Sequence, residues 1–215
     1  MEILKSILLI VSALLPIVNP LGGSPIFLAL ASDYPRDIRS VLARKVALNS
    51  FILMVASFLI GTHILRFFGI SIPVVQVGGG LIVMVNGWAI LKRDDQSDRS
   101  EPSLRKVNPT DIFRSAFYPL TMPLTVGPGT ISVAITLGAN EERGIANLML
   151  ILAAVIGSFI VAACILLCYG FADRLAAVLG ESAMSILLRL SSFLLVCIGV
   201  QIVWNGLSSL VRTLK

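Results

Sequence analysis

Two stretches rich in proline and glycine interrupt what would otherwise be continuous apolar helices. The first runs Pro16-Ile17-Val18-Asn19-Pro20-Leu21-Gly22-Gly23-Ser24-Pro25. The second runs Pro119-Leu120-Thr121-Met122-Pro123-Leu124-Thr125-Val126-Gly127-Pro128-Gly129-Thr130. Proline removes a backbone donor and its ring clashes with the preceding turn. Glycine weakens a helix further. The flanks of both stretches are nevertheless as apolar as any membrane span. Irregular backbone at membrane depth persists only where protein or a water-filled cavity satisfies the freed polar groups. Two such breaks, one in each half of a small membrane protein, are the sequence signature of a transporter substrate site.

The apolar runs that carry these breaks recur along the whole chain. Its 215 residues are 56% hydrophobic and only 13% charged, against roughly 25% charged in soluble domains. Six spans are expected, near Lys5–Ala31, Val46–Leu65, Ile72–Leu91, Ile112–Ala139, Ile145–Phe171 and Met184–Val211. The fold class is therefore all-α, a polytopic membrane protein whose first and fourth helices are broken at mid-membrane. Ala29-Leu30-Ala31 resembles a signal-peptidase site, but the preceding apolar stretch is longer than a signal-peptide core and contains the Asn19-Pro20 break. It is read as a retained span.

The two halves echo each other. Pro20 and Pro25 are five residues apart, as are Pro123 and Pro128. Gly80 is followed after five residues by Asn86-Gly87, and Gly199 likewise by Asn205-Gly206. Three spans per half place the second half on the opposite face, so the expectation is an inverted repeat, 1–98 and 99–215, within one integral membrane domain. The polar segment Lys92–Asp111 forms the boundary. Eleven lysines and arginines flank the loops after spans one, three and five, against five on the other face. By the positive-inside rule both termini lie outside the cytoplasm. The net charge of +5 is thus a topological signal. With no basic stretch interleaved with aromatics, nucleic acid is not an expected partner.

Ser24-Pro25 and Gly127-Pro128 each read as a helix start, with Ser or Gly at the N-cap and proline in the first turn. Ser24 to Asp33 spans about 15 Å and Gly127 to Leu137 about 16 Å, half of a hydrocarbon core about 30 Å thick. Two half-helices would then begin near the midplane. Their free N–H groups and dipoles favour a carboxylate. Carbonyls freed by Pro20, Pro25, Pro123 and Pro128 can accept from an ammonium group. Asn19, Ser24, Thr121, Thr125 and Thr130 add neutral polar groups, and Gly22, Gly23, Gly127 and Gly129 leave room for close approach. The set suits a small zwitterion. The plainer alternative is that the prolines and glycines kink packed helices. On the binding reading, Gly23→Leu or Gly129→Leu abolishes uptake and leaves expression intact.

No expected span contains Asp or Glu, so the carboxylate relay common in ion-coupled carriers is missing. An enzyme would need a positioned acid, base, nucleophile or metal, and none is expected. No cofactor is expected either, and the coupling ion, H+ or Na+, is left open. His63 reads as interfacial. Arg189 reads as snorkelling, or as a substrate or gate contact. Gln76, Asn86, Gln201 and Asn205 read as ties between helices more than as ligands. Cys164, Cys168 and Cys197 read as packing residues.

The Asn19-Pro20-x-Gly22-x-x-Pro25-x-Phe27 run resembles the first-helix signature of the MarC family of integral membrane proteins. So do Phe68-Gly69-Ile70-Ser71 leading to Gly79-Gly80-Leu81, Pro119-Leu120-x-x-Pro123 leading to Gly127-Pro128-Gly129-Thr130-Ile131, and Arg189-Leu190 leading to Phe193-Leu194-Leu195 and Gly199-Val200-Gln201. Ser191-Ser192 departs from the pattern, where relatives commonly carry a packing glycine. The resemblance implies six inner-membrane helices in inverted repeats and kinship with small neutral amino acid transporters for glycine and alanine. The expected function is secondary transport of such zwitterions. The alternatives are a channel for a small polar solute and a MarC-type protein of unassigned substrate. The expected partners are the lipid bilayer and a small-molecule substrate, with a homo-oligomer allowed.

Overall fold

A computed structural model describes residues 2–32, 34–92, 114–139 and 145–213. These residues form α1 (Glu2–Val18), α2 (Pro20–Leu30), α3 (Arg36–Phe67), α4 (Ile72–Leu91), an irregular helical segment α5 (Ala116–Thr125), α6 (Pro128–Ala139), α7 (Ile145–Gly170) and α8 (Ala172–Thr213). No strand occurs among the described residues. The polar boundary between the halves, apart from Lys92, lies outside them, as do Arg143 and Lys215.

Five stretches are long and apolar enough to cross a bilayer: Ile3–Leu30, Arg36–Phe67, Ile72–Leu91, Leu148–Gly170 and Ala183–Arg212. The pair α5 and α6, bent by 68°, makes a sixth if taken as one span. Leu8, Ile52, Leu81, Phe159 and Leu194 point outward, as expected when lipid is the solvent for apolar surface. The interior is built from Ile10, Leu14, Phe27, Leu42, Met54, Leu120 and Ile165.

α4 has the bounds expected from its apolar run. α3 instead begins ten residues before the expected Val46. Its first turns carry Arg36, Asp37 and Arg39, which a search for apolar runs passes over. Pro35 precedes the helix in extended conformation, and Asp37 lies near the positive end of the helix dipole. Arg39 donates to Asp173 at the start of α8, at 3.0 Å, fixing this polar turn against the second half. α8 turns sharply at Gly180, whose φ of 73° suits a residue without Cβ, and its membrane-length part starts at Ala183.

α4 and α8 cross through glycines. A methyl at Gly80 would sit 2.8 Å from the Gly199 carbonyl oxygen, and one at Gly199 would sit 2.7 Å from the Gly80 carbonyl oxygen. Gly87 meets Ser192, Leu195 and Val196, while Gly206 meets Pro73, Gln76 and Val77. The helices are therefore antiparallel. Adding the 119 residues that separate Gly80 from Gly199 turns each Gly206 neighbour into a Gly87 neighbour. The Gly-x5-Asn-Gly motifs are thus a backbone-contact seam. Ser191 is accommodated because its Cβ lies against Gly22, where any side chain would collide.

Candidate functional site

The two breaks are built differently, and one residue in each explains why. In the first, the chain turns at Asn19, not at Ser24 as the sequence suggested. Asn19 has φ 45° and ψ 60°, a left-handed conformation that Asn tolerates better than most residues. Its side-chain oxygen accepts the Gly22 N–H at 3.1 Å, and Pro20 occupies the first helical position, where no N–H is needed. The main-chain ladder passes through the turn: Asn19 N–H donates to the Leu15 carbonyl, and Gly23 N–H donates to the Asn19 carbonyl, both at 2.9 Å. Pro25 then lies inside α2. It withholds an N–H from the Leu21 carbonyl, but the Ser24 hydroxyl donates to that oxygen at 2.8 Å. Ser24 repairs α2 where it was expected to start it, and the Leu21 carbonyl is already engaged.

The second break has neither device. Met122 stands where the first has Asn19, and Gly127 where it has Ser24. Tyr118 and Met122, each before a cis proline, adopt extended backbone, as residues before proline prefer. With no hydroxyl at Gly127 to repair the ladder, α6 starts afresh at Pro128, and the Gly127 carbonyl accepts the Ile131 N–H at 3.1 Å. This start agrees with the sequence. Thr121 and Thr125 donate their hydroxyls to the Ala116 and Leu120 carbonyls at 2.6 and 2.7 Å. They heal the unwound segment before they could serve a ligand.

The two breaks meet around one cavity of about 70 Å³. A buried water needs about 10–15 Å³ by the same measure, so this space admits a solute of a few heavy atoms. Asn19, Gly22, Gly23, Pro123, Thr125, Gly127, Gly129 and Thr130 line it. Pro20, Ser24, Pro25, Thr121 and Pro128 do not; they shape the backbone behind it. Asn86 and Ser192, from α4 and α8, line it too. The sequence suggests Asn86 as a helix tie, yet it makes no hydrogen bond to any described residue. Its carboxamide and the Thr130 hydroxyl are both at the cavity without a hydrogen-bond partner among the described residues. No charged side chain lines the cavity among the described residues. His63 and Arg189 are exposed and lie on neither this cavity nor the second one described below.

Tyr169 of α7 is the residue that local sequence reading missed. Only 3% exposed, it stacks on Phe27 of α2 with centroids 4.6 Å apart. Its hydroxyl lies 3.0 Å from the Thr125 hydroxyl. Because Thr125 spends its proton on Leu120, Tyr169 must be the donor. A Cβ at Gly23 would fall 2.6 Å from the same tyrosine oxygen. One side chain therefore spaces both breaks. Tyr169→Phe keeps the stacking and loses the tie, for about 1 kcal/mol; Tyr169→Ala loses both, for about 3–5 kcal/mol. Thermal unfolding in detergent reads the difference, and a Tyr169→Phe variant that melts like the parent would refute the tie.

Glycine packing also corrects the expectation for the leucine variants. Any side chain at Gly129 would overlap Val83, and one at Gly23 would overlap Tyr169. Leucine there would compromise folding, so lost uptake would say little about binding. Gly127 is different: its only close neighbour would be the Pro123 carbonyl oxygen at 3.1 Å.

The sequence model of the family described as MarC family integral membrane protein matches residues 4–211. The chain is 30% identical over 218 residues to the UPF0056 inner membrane protein MarC of Salmonella typhimurium (strain LT2), covering 99% of each chain. It is 29% identical over 218 residues, again with 99% coverage of both, to the protein of the same name from Escherichia coli (strain SMS-3-5 / SECEC). No solved structure matches it.

Proposed function

The chain belongs to the MarC family of integral membrane proteins, and on that footing we propose that it is a secondary transporter of small neutral amino acids. The observation that carries this reading is the cavity between the breaks. It is small, free of charged side chains among the described residues, and lined by the glycines Gly22, Gly23, Gly127 and Gly129. The α6 N-terminus offers the unpaired N–H groups and positive dipole end that a carboxylate needs. Threonine and asparagine side chains beside it suit an uncharged but polar solute. Neither reacting groups nor a bound cofactor form part of this reading: the protein binds and releases its substrate unchanged.

The exchange of Gly80 with Gly199 contacts, and of Gly87 with Gly206 contacts, across antiparallel α4 and α8 supports an inverted repeat with halves 1–98 and 99–215. Such repeats rock about a fixed midplane site. The distribution of lysine and arginine puts both termini outside the cytoplasm. The relatives named as inner membrane proteins support the same membrane for this one.

The test is uptake of radiolabelled glycine and L-alanine into proteoliposomes, with and without imposed proton and sodium gradients. Saturable uptake is expected, and the gradient that drives it identifies the coupling ion. Non-saturable flux would favour a channel. No flux from folded protein under any gradient would remove these substrates.

A further inference from the structure

A second cavity, of about 290 Å³, lies beside the first. Four helices contribute to both, and in the same order. On α8 the second cavity takes Ile198 to Asn205, while the first takes Leu188 to Leu195. On α4 it takes Gln76, while the first takes Val83 to Ile90. On α6 it takes Val133 to Leu137, further from the helix start than Gly129 and Thr130. On α1 it takes Ser12 to Ile17. The cavities are therefore stacked along the helix axes, the larger one towards the ends of α1 and α8 that carry the chain termini.

Its lining is mostly apolar, but four polar side chains, Ser12, Gln76, Thr136 and Asn205, contribute to it. Gln76 donates to the Thr136 hydroxyl at 3.4 Å, and Asn205 accepts from Gln201 at 2.9 Å. Ser12, Pro16 and Asn205, which line it, are exposed. Polar side chains within spans persist where they meet each other or water, and Gln76 and Thr136 meet each other along the cavity wall.

Ile17 lines both cavities. It is the last residue but one of α1, two positions before Asn19, whose backbone is left-handed at φ 45°. That left-handed residue is where α1 gives way to α2, so Ile17 sits at the junction of the two helices. Beyond that junction α2 is anchored separately, through Phe27 stacked on Tyr169.

We infer that the larger cavity is the access vestibule to the solute chamber on the face bearing the chain termini, and that Ile17 is the apolar gate between them. The inference rests on the transporter reading for its solute, but the gate is tested without transport. In a background lacking Cys164, Cys168 and Cys197, Ser12→Cys and Thr130→Cys are exposed to an impermeant methanethiosulfonate reagent, applied to each face of sealed vesicles in turn. Modification is counted by mass.

Cysteine at position 12 is expected to react from the termini-bearing face. Cysteine at position 130 is expected to react from that face at least about tenfold faster once Ile17→Ala is added, whereas Ile17→Leu leaves it protected. An unreactive position 12 would overturn the vestibule. Equal reactivity of position 130 with isoleucine and with alanine at position 17, whether high or nil, would overturn the gate. Gated labelling in a protein that takes up neither glycine nor alanine would keep the gate and reject the substrate.

Discussion

Gly199→Ala is expected to lower the melting temperature of the purified protein sharply, and Gly199→Leu to prevent recovery of folded protein. The added Cβ would lie 2.6 Å from the Met84 amide nitrogen, 2.7 Å from the Gly80 carbonyl oxygen and 2.9 Å from the Met84 Cα. All three are main-chain atoms and cannot turn aside as a side chain could. The helices must part, and Gly80, Gly87 and Gly206 along the same seam lose contact together. Overpacking a tight interior costs about 1–3 kcal/mol per inserted group. In a bilayer no hydrophobic gain between helices offsets it, because their association rests on close packing. Gly78→Ala is the internal control. Nothing lies within 4 Å of a Cβ built there, and alanine improves helix propensity by about 0.8–1 kcal/mol. Thermal unfolding of both variants in one detergent decides the matter: if they melt alike, the seam is not where the helices are held.

On the transporter proposal, Gly127→Val should abolish uptake by the folded protein. Gly127 lines the cavity, and a Cβ added there meets only the Pro123 carbonyl oxygen, at 3.1 Å. The cost to folding is confined to a small shift of that carbonyl and the weaker N-cap preference of valine, about 1 kcal/mol. The gain in side-chain volume falls instead on a space of only about 70 Å³. Displacing a substrate group there costs about 3 kcal/mol, roughly a hundredfold in affinity. Initial rates of glycine and alanine uptake, normalised to protein that elutes as a single species, provide the measurement. Uptake within a few fold of the parent protein would move the binding site elsewhere. Gly129→Ala cannot serve in its place, because its methyl would collide with Val83.

The residues that shape each break were legible for a physical reason. Proline, glycine and helix caps act on backbone within about four positions, so their effects are written locally. Pro128 as a helix start and the bounds of α4 follow directly. The first break was read five residues too late because two local devices compete there. Asn19 turns and caps the chain, and the Ser24 hydroxyl mends the gap left by Pro25. Either serine role, cap or repair, is compatible with Ser-Pro in isolation. The early start of α3 was hidden by its charged first turns, which are stable as helix but carry no apolar run.

By itself the sequence determined an all-helical membrane protein of the MarC family, the apolar segments, the two interrupted stretches and the matched glycine motifs, because bilayer thickness and backbone chemistry constrain these position by position. Only the tertiary structure decided what those features touch. It set Tyr169 against Thr125, 44 residues away in sequence, and closed Gly80 on Gly199. It brought Asn86 and Ser192 to the cavity and left Ile17 between two chambers. Packing between distant helices depends on the complementary shape of both surfaces at once, and no local pattern in either strand of sequence contains that information.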